Sequence, residues 1–380
     1  MKLTRVLLPF LLIACVGLHA QTPAAPPAAA PVAAAPQVEP EPPLQWHDVT
    51  KWGAEGRAWT DMEREGWFDR LPKAANGKVT EKVWSLSRNS AGLMVRFKTD
   101  STAIWANYTL RSEKLGLTNM TPMGASGIDL YARDEKGTWR WVGCAKPDKK
   151  QVRQAIVSGL APGLREYQAY LPLFNGVESL ELGVLEKAKF EELAPRAEKP
   201  IVFYGTSITH GASASRPGMV HTAILGRHLD KPVVNLGFSG NGKMDIAVGE
   251  FMAKMEAAVF VIDCLPNMGP ADVRQKCQPL VQLLRAARPE TPIVLVEDRR
   301  NSNSWILPAR DQMHTENHAA LRESFEALKK AGITKLYFIP GDALIGDDAE
   351  GSTDGSHPSD LGFMRQAAVF EPVLRKVLGM

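Results

Sequence analysis

Two short segments of this 380-residue chain hold the residue types needed for nucleophilic acyl transfer. Gly205-Thr206-Ser207 offers a serine hydroxyl, and Asp354-Gly355-Ser356-His357 offers an imidazole with a carboxylate three positions before it. A serine hydroxyl is a weak nucleophile until a base takes its proton, and a neutral imidazole suits that task near neutral pH. A carboxylate on the other ring N–H fixes the tautomer and stabilises the imidazolium. These considerations make Ser207, His357 and Asp354 the candidate catalytic residues. The tetrahedral intermediate also needs donors aimed at its oxygen. The backbone N–H groups of Ser207 and Gly240 and the side-chain amide of Asn267 are the candidates, with Gly237 competing for the place of Gly240. His210 and Arg216 lie close to Ser207 in the chain and are candidate substrate-pocket residues.

Such groups must be positioned by regular elements. From about residue 198 onward, short continuous apolar runs at 201–204, 232–236, 258–263, 292–296 and 335–339 read as buried parallel strands. Helical stretches at 220–229, 245–255, 271–288, 308–331 and 360–378 alternate with them, which predicts a doubly wound α/β sheet over 198–380. Ligands of such sheets bind beyond the carboxyl ends of the strands. The segments holding Ser207, Gly240, Asn267 and His357 each follow a predicted strand end.

Residues 44–195 read differently. Short runs at 83–86, 92–98, 103–110, 127–132, 139–142, 165–171 and 179–184 alternate or are rich in β-branched and aromatic residues, with turn signals such as Asn76-Gly77 and Asn175-Gly176 between them. This predicts a β-sandwich or jelly roll. Eight tryptophans fall here, at 46, 52, 59, 67, 84, 105, 139 and 141; packing accounts for most of them, though aromatic faces also stack on sugar rings. The charged run 186–199 reads as a solvated junction. Residues 21–43 are an Ala/Pro-rich spacer. Lys2 and Arg5 precede the apolar run 6–18, and Leu18-His19-Ala20 offers a cleavage site, so residues 1–20 read as a secretory signal and the protein as secreted or periplasmic. Lipid anchoring at Cys15, through Leu12-Ile13-Ala14-Cys15, is the less favoured alternative.

Composition excludes several classes. Lys plus Arg number 45 against 42 Asp plus Glu, and losing Lys2 and Arg5 with the signal leaves 43 against 42, which argues against a nucleic-acid partner. No run is long enough for a transmembrane helix. With Cys15 removed, Cys144, Cys264 and Cys277 leave at least one free thiol, and a Cys264–Cys277 bridge stays open. His314 and His318 share a helical spacing but lack the zinc-protease pattern, so a solvated helix face is expected. Gly237-x-x-Gly240-x-Gly242 is too irregular for a dinucleotide fingerprint.

The second half resembles the SGNH (GDSL-type) hydrolase superfamily, whose four blocks carry Ser, Gly, Asn and His in that order. Gly205-Thr206-Ser207 matches the first, with Thr206 where the family name has Asp; Gly240 matches the second, Asn267 the third and Asp354-Gly355-Ser356-His357 the last. The third block departs from the usual pattern, reading Leu265-Pro266-Asn267-Met268. Gly127-Ile128-Asp129-Leu130-Tyr131 resembles the signature of a β-rich domain that precedes the hydrolase domain in a bacterial subgroup. The resemblance implies a three-layer α/β/α fold, no metal or other cofactor, and ester hydrolysis. For secreted members with such a β-domain it further implies removal of acetyl groups from carbohydrate, with acetylated polysaccharide or oligosaccharide as substrate. The alternatives are a lipid or aryl esterase and a catalytically inactive carbohydrate-binding protein. Oligomeric state is left open.

Overall fold

In the first half, alternating buried and half-exposed residues fold into two antiparallel sheets. The computed structural model describes residues 41–380; the expected signal segment with Cys15, and nearly all of the 21–43 spacer, lie outside the described residues. Nine strands come first: β1 (Leu44–Asp48), β2 (Met94–Thr99), β3 (Ala103–Leu110), β4 (Asp129–Arg133), β5 (Trp139–Cys144), β6 (Gln151–Ser158), β7 (Arg165–Tyr170), β8 (Val177–Leu185) and β9 (Phe190–Leu193). They pair in a four-stranded sheet, β1-β8-β3-β6, and a five-stranded sheet, β5-β4-β7-β2-β9. Inward residues of the two sheets, among them Phe97, Leu130 and Tyr167 from one and Ile104, Tyr108 and Leu182 from the other, form one apolar core. That is sandwich packing.

Two local expectations are corrected. Residues 83–86 lie in a helix, α1 (Glu81–Ser87), because Thr80 caps it by accepting the Val83 N–H at 3.3 Å. The charged junction 186–199 contains the edge strand β9, which pairs with β2. Charges on its Glu191 and Glu192 are what a sheet edge carries to discourage further pairing.

After the short helix α2 (Pro122–Ser126) and the rest of the sandwich, the chain alternates strand and helix. The strands are β10 (Ile201–Gly205), β11 (Val233–Gly237), β12 (Val259–Asp263), β13 (Ile293–Val296) and β14 (Leu336–Ile339). The helices are α3 (Ser207–His210), α4 (His221–His228), α5 (Ile246–Met252), α6 (Pro270–Ala287), α7 (Pro308–Lys330) and α8 (Asp360–Leu378). The sheet is parallel in the order β11-β10-β12-β13-β14. That is the flavodoxin-like order with its switch point beside β10. Phe251, Leu280 and Leu321 of α5, α6 and α7 pack on one face. Ile224, Phe363 and Phe370 of α4 and α8 pack on the other, completing three layers.

The two halves share these cores. Trp59, Leu71 and Val83 join the first cluster, and Met94, Tyr131 and Tyr170 join the second, so residues 42–380 form one compact unit. Trp59 serves this packing: it is buried and donates to Phe251 O at 2.9 Å. Cys144, Cys264 and Cys277 are free and buried, so the Cys264–Cys277 bridge is not formed. Among the described residues no helix is long and apolar enough to cross a membrane.

Candidate active site

The turn after β10 is built for close approach. A Cβ on Gly205 would meet Thr209 Oγ1 at 2.1 Å, and one on Gly242 would meet Gly205 O at 1.9 Å. Glycines at both places let the loop after β11 lie against the end of β10. Thr206 caps the four-residue helix α3 through the Ile208 N–H, and Gly211 ends it at φ +111°. Ser207 is thereby held at the first helical position, at the carboxyl edge of the sheet.

His357 and Asp354 come from the loop between β14 and α8. Asp354 Oδ1 accepts the backbone N–H of Ser356 at 3.0 Å and of His357 at 2.8 Å. Its other oxygen lies 2.8 Å from His357 Nδ1. His357 Nε2 in turn lies 2.9 Å from Ser207 Oγ, across 150 residues of sequence. With Nδ1 protonated and donating to Asp354, Nε2 is left to accept the Ser207 hydroxyl. Partial burial opposes ionisation of Asp354, but the His357 amide, the imidazole and the Ser356 amide hold its carboxyl down to about 2. It is therefore a carboxylate at neutral pH.

A cavity of about 280 Å³ opens here, lined by Ser207, Gly240, Asn267, Arg299, Ser356 and His357 among others. Gly240 sits at φ +70° with open space where a Cβ would be. Gly237 is instead the buried end of β11, where a Cβ would strike His210 N at 2.1 Å, so Gly240 is the glycine that faces the cavity. Asn267 closes the 3₁₀ turn Leu265–Asn267 after β12, and its Oδ1 is buried without a hydrogen-bond partner. A hydroxyl activated by an imidazole–carboxylate pair, beside backbone and amide donors, can attack an ester carbonyl and hold the resulting oxyanion.

The structure does not bring His210 to this cavity. The ring is fully buried, stacked on Phe174 with centroids 4.1 Å apart, and Nε2 donates to Leu173 O at 2.7 Å. Burial and the nearby Arg70 guanidinium drive its pKa well below the ordinary value, so it is a neutral packing residue. Arg216 points the other way. It lines a separate cavity of about 560 Å³ with Tyr131, Trp139 and Arg227, and its Nη1 donates to Asp129 Oδ2 at 3.0 Å. It joins the halves of the chain and does not line the Ser207 cavity. The solvated face expected at His314 and His318 is also corrected: both rings are buried and bonded to Asp298.

Sequence reasoning missed three contributors. Arg70, fully buried, donates to Asn235 O at 3.1 Å and Gly237 O at 2.7 Å, and also to Leu86 O and Asn89 O. It ties the sandwich half to the strand that leads into the Gly240 loop; nothing in a lone arginine signals this. Asn119 donates to Ser213 Oγ at 2.9 Å and reaches 3.5 Å from Asp354 Oδ2. Arg299 lines the cavity itself, and its signal was its place just past the end of β13.

Residues 198–375 match the GDSL-like lipase/acylhydrolase family, and residues 44–190 match GxDLY, the N-terminus of Esterase_SGNH_hydro-type proteins. A crystal structure from Bacteroides ovatus ATCC 8483, described as a GDSL-like lipase, is 34% identical with a TM-score of 0.84, over 88% of this chain and 98% of its own. The salicylyl-acyltransferase SsfX3 of a tetracycline biosynthetic pathway is 18% identical at a TM-score of 0.64, over 89% of this chain and 95% of its own. A family two carbohydrate esterase from Clostridium thermocellum, solved with cellohexaose, is 16% identical at a TM-score of 0.52, over 76% and 93%. No curated protein matches the sequence. The Ser–His–Asp chain at the sheet's carboxyl edge, the fold of both halves and this likeness agree, and the protein belongs to the GDSL-like lipase/acylhydrolase family, with a GxDLY-type N-terminal half.

Proposed function

We propose that the protein is a secreted serine esterase that removes O-acyl groups, with O-acetyl on carbohydrate as the favoured substrate. The observation that carries the reading is the hydrogen-bonded chain Ser207–His357–Asp354, with links of 2.9 and 2.8 Å, at the mouth of the cavity that Gly240 and Asn267 line. In this reaction Ser207 Oγ attacks the ester carbonyl and His357 Nε2 takes its proton. The N–H groups of Ser207 and Gly240 and the Asn267 amide hold the oxyanion. His357 then protonates the leaving alcohol, and water attacks the acyl-Ser207 ester with the same base.

The cavity of about 280 Å³ has room for an acetyl group beside the Ser207 hydroxyl. The Clostridium esterase solved with cellohexaose supports a carbohydrate as the alcohol side of the ester. Residues 1–20 are proposed as the export signal. The test is acetate release from acetylated xylan beside a p-nitrophenyl acyl ester series, with wild type and Ser207→Ala. Release from xylan and preference for the acetyl ester, both lost in the variant, are expected. Preference for long acyl chains would overturn the acetyl assignment and favour a lipid ester.

A further inference from the structure

β13 runs directly into Glu297-Asp298-Arg299, and all three side chains are buried. Buried charges persist when they are paired and hydrogen-bonded. Glu297 accepts Arg322 Nε at 2.5 Å and Nη2 at 3.1 Å, and the Gly341 N–H at 2.9 Å. Asp298 lies 2.6 Å from His314 Nδ1 and 2.8 Å from His318 Nε2. The donor atoms of Asp298, His314 and His318 all lie within 4.8 Å of one another, as in a metal site. The hydrogen bonds say otherwise. His314 Nε2 accepts the Asn301 N–H at 3.2 Å, so its proton belongs on Nδ1, facing Asp298. A cation on Nδ1 would force that proton onto Nε2, against the Asn301 N–H. The trio is a clamp that fixes the segment after β13.

Arg299 stands on this clamp. Its Nε donates to Ser356 O at 2.8 Å and its Nη2 to Ser356 Oγ at 2.5 Å. Ser356 is the residue before His357, in a turn where Gly355 has φ +85°. Asp354 holds that turn from one side through the Ser356 and His357 amides, and Arg299 holds it from the other. The guanidinium is not a free anion receptor: two of its nitrogens are committed to Ser356, and Nη1 faces Asp298 Oδ2 at 3.8 Å. We propose that Arg299 is a positioning residue, which through Ser356 keeps His357 Nε2 within hydrogen-bond reach of Ser207 Oγ. This rests on the Ser207–His357 reading above. A planar fork that grips one residue at two points restrains both position and rotation, which a flexible ammonium cannot do. Displacing a reacting group by about 1 Å can lower the rate by roughly 100-fold.

The test uses the full chain with p-nitrophenyl acetate and, separately, a fluorophosphonate probe that labels Ser207 without needing the natural substrate. Arg299→Ala should lower both kcat and the labelling rate by about 10- to 100-fold with KM nearly unchanged. Arg299→Lys should recover part of the loss. Added guanidinium ion should restore Arg299→Ala and leave Ser207→Ala inactive. Ser356→Ala, which removes the Oγ contact alone, should give a smaller fall in kcat and serves if Arg299→Ala does not fold. Wild-type kcat and labelling in Arg299→Ala, or in Ser356→Ala where the first variant does not fold, would overturn the proposal. So would a rise in KM at unchanged kcat, which marks a substrate contact. If Ser207→Ala itself stays active and the labelling site lies elsewhere, the esterase mechanism fails, whatever Arg299 does.

Discussion

Asp129 and Arg216 meet across the seam between the sandwich and the parallel sheet. Arg216 Nη1 donates to Asp129 Oδ2 at 3.0 Å, and the same oxygen accepts the Gly218 N–H at 2.8 Å. The other oxygen accepts Trp141 Nε1 at 2.8 Å. A Cβ on Gly218 would lie 2.4 Å from Tyr131 Cε2, so the loop reaches the carboxylate because that residue is glycine. The acidic residue of the Gly127–Tyr131 motif is thus a fastening between the halves.

Removing one partner of a buried ion pair strands the other. Asp129→Ala should therefore destabilise the protein by about 3–5 kcal/mol, read by urea unfolding, and Asp129→Asn by less. A change under about 1 kcal/mol would show that solvent already satisfies Arg216 and Gly218.

Asp354→Asn tests the orienting carboxylate. The amide can still accept the two backbone N–H groups but cannot hold the His357 tautomer that leaves Nε2 free. We expect kcat to fall by roughly 10²–10⁴ with little change in KM. An unaltered kcat would mean the turn geometry alone orients His357.

The oxyanion assignment is tested by Asn267→Ala. A side-chain donor to the oxyanion contributes about 2.7–4 kcal/mol to transition-state stabilisation, so kcat should drop by about 10²–10³. A loss below tenfold would leave the backbone N–H groups of Ser207 and Gly240 as sufficient donors.

Asp263, at the end of β12, gives a stability prediction with a defined sign. Burial pushes its carboxyl up to about 7, against the Thr209 hydrogen bond and the Arg299 charge. A folded value above the unfolded one of about 3.9 means the folded state binds the proton more tightly. The contribution to stability is full below about pH 4 and is lost as pH rises toward 7. Asp263→Asn removes that titration, so its Tm should decline less than that of wild type across this range. Parallel Tm curves for the two proteins would contradict the assignment.

How much of this is legible in the sequence follows from burial. Strands covered on both faces are continuous apolar runs, so the five parallel strands stand within a residue or two of their predicted places, and α8 matches the predicted 360–378. The sandwich is harder, because its strands show one face to solvent. β6 is polar and half exposed, and its neighbour β3 explains it better than its own composition does. Residues 83–86 alternate like a strand, yet the Thr80 cap makes them helical. At the site, reading the residues past strand ends finds Ser207, Gly240, Asn267 and His357; Arg299 is missed because Glu297-Asp298-Arg299, just past β13, includes no nucleophile or imidazole to single it out. His210 and Arg216 are near Ser207 along the chain but are held elsewhere by distant partners: the His210 ring packs on Phe174, and Arg216, beyond the end of α3, bonds Asp129. The partners of His314 and His318 lie on another element, which spacing within one helix cannot reveal.

The reactivity of Ser207 tests the esterase mechanism most directly. Wild type and Ser207→Ala would be compared for p-nitrophenyl acetate hydrolysis and for fluorophosphonate labelling mapped by mass spectrometry. A Ser207 nucleophile should give labelling at Ser207 in wild type, none in the variant, and a fall in kcat of at least about 100-fold. Labelling at another residue, or a variant that keeps its kcat, would contradict it.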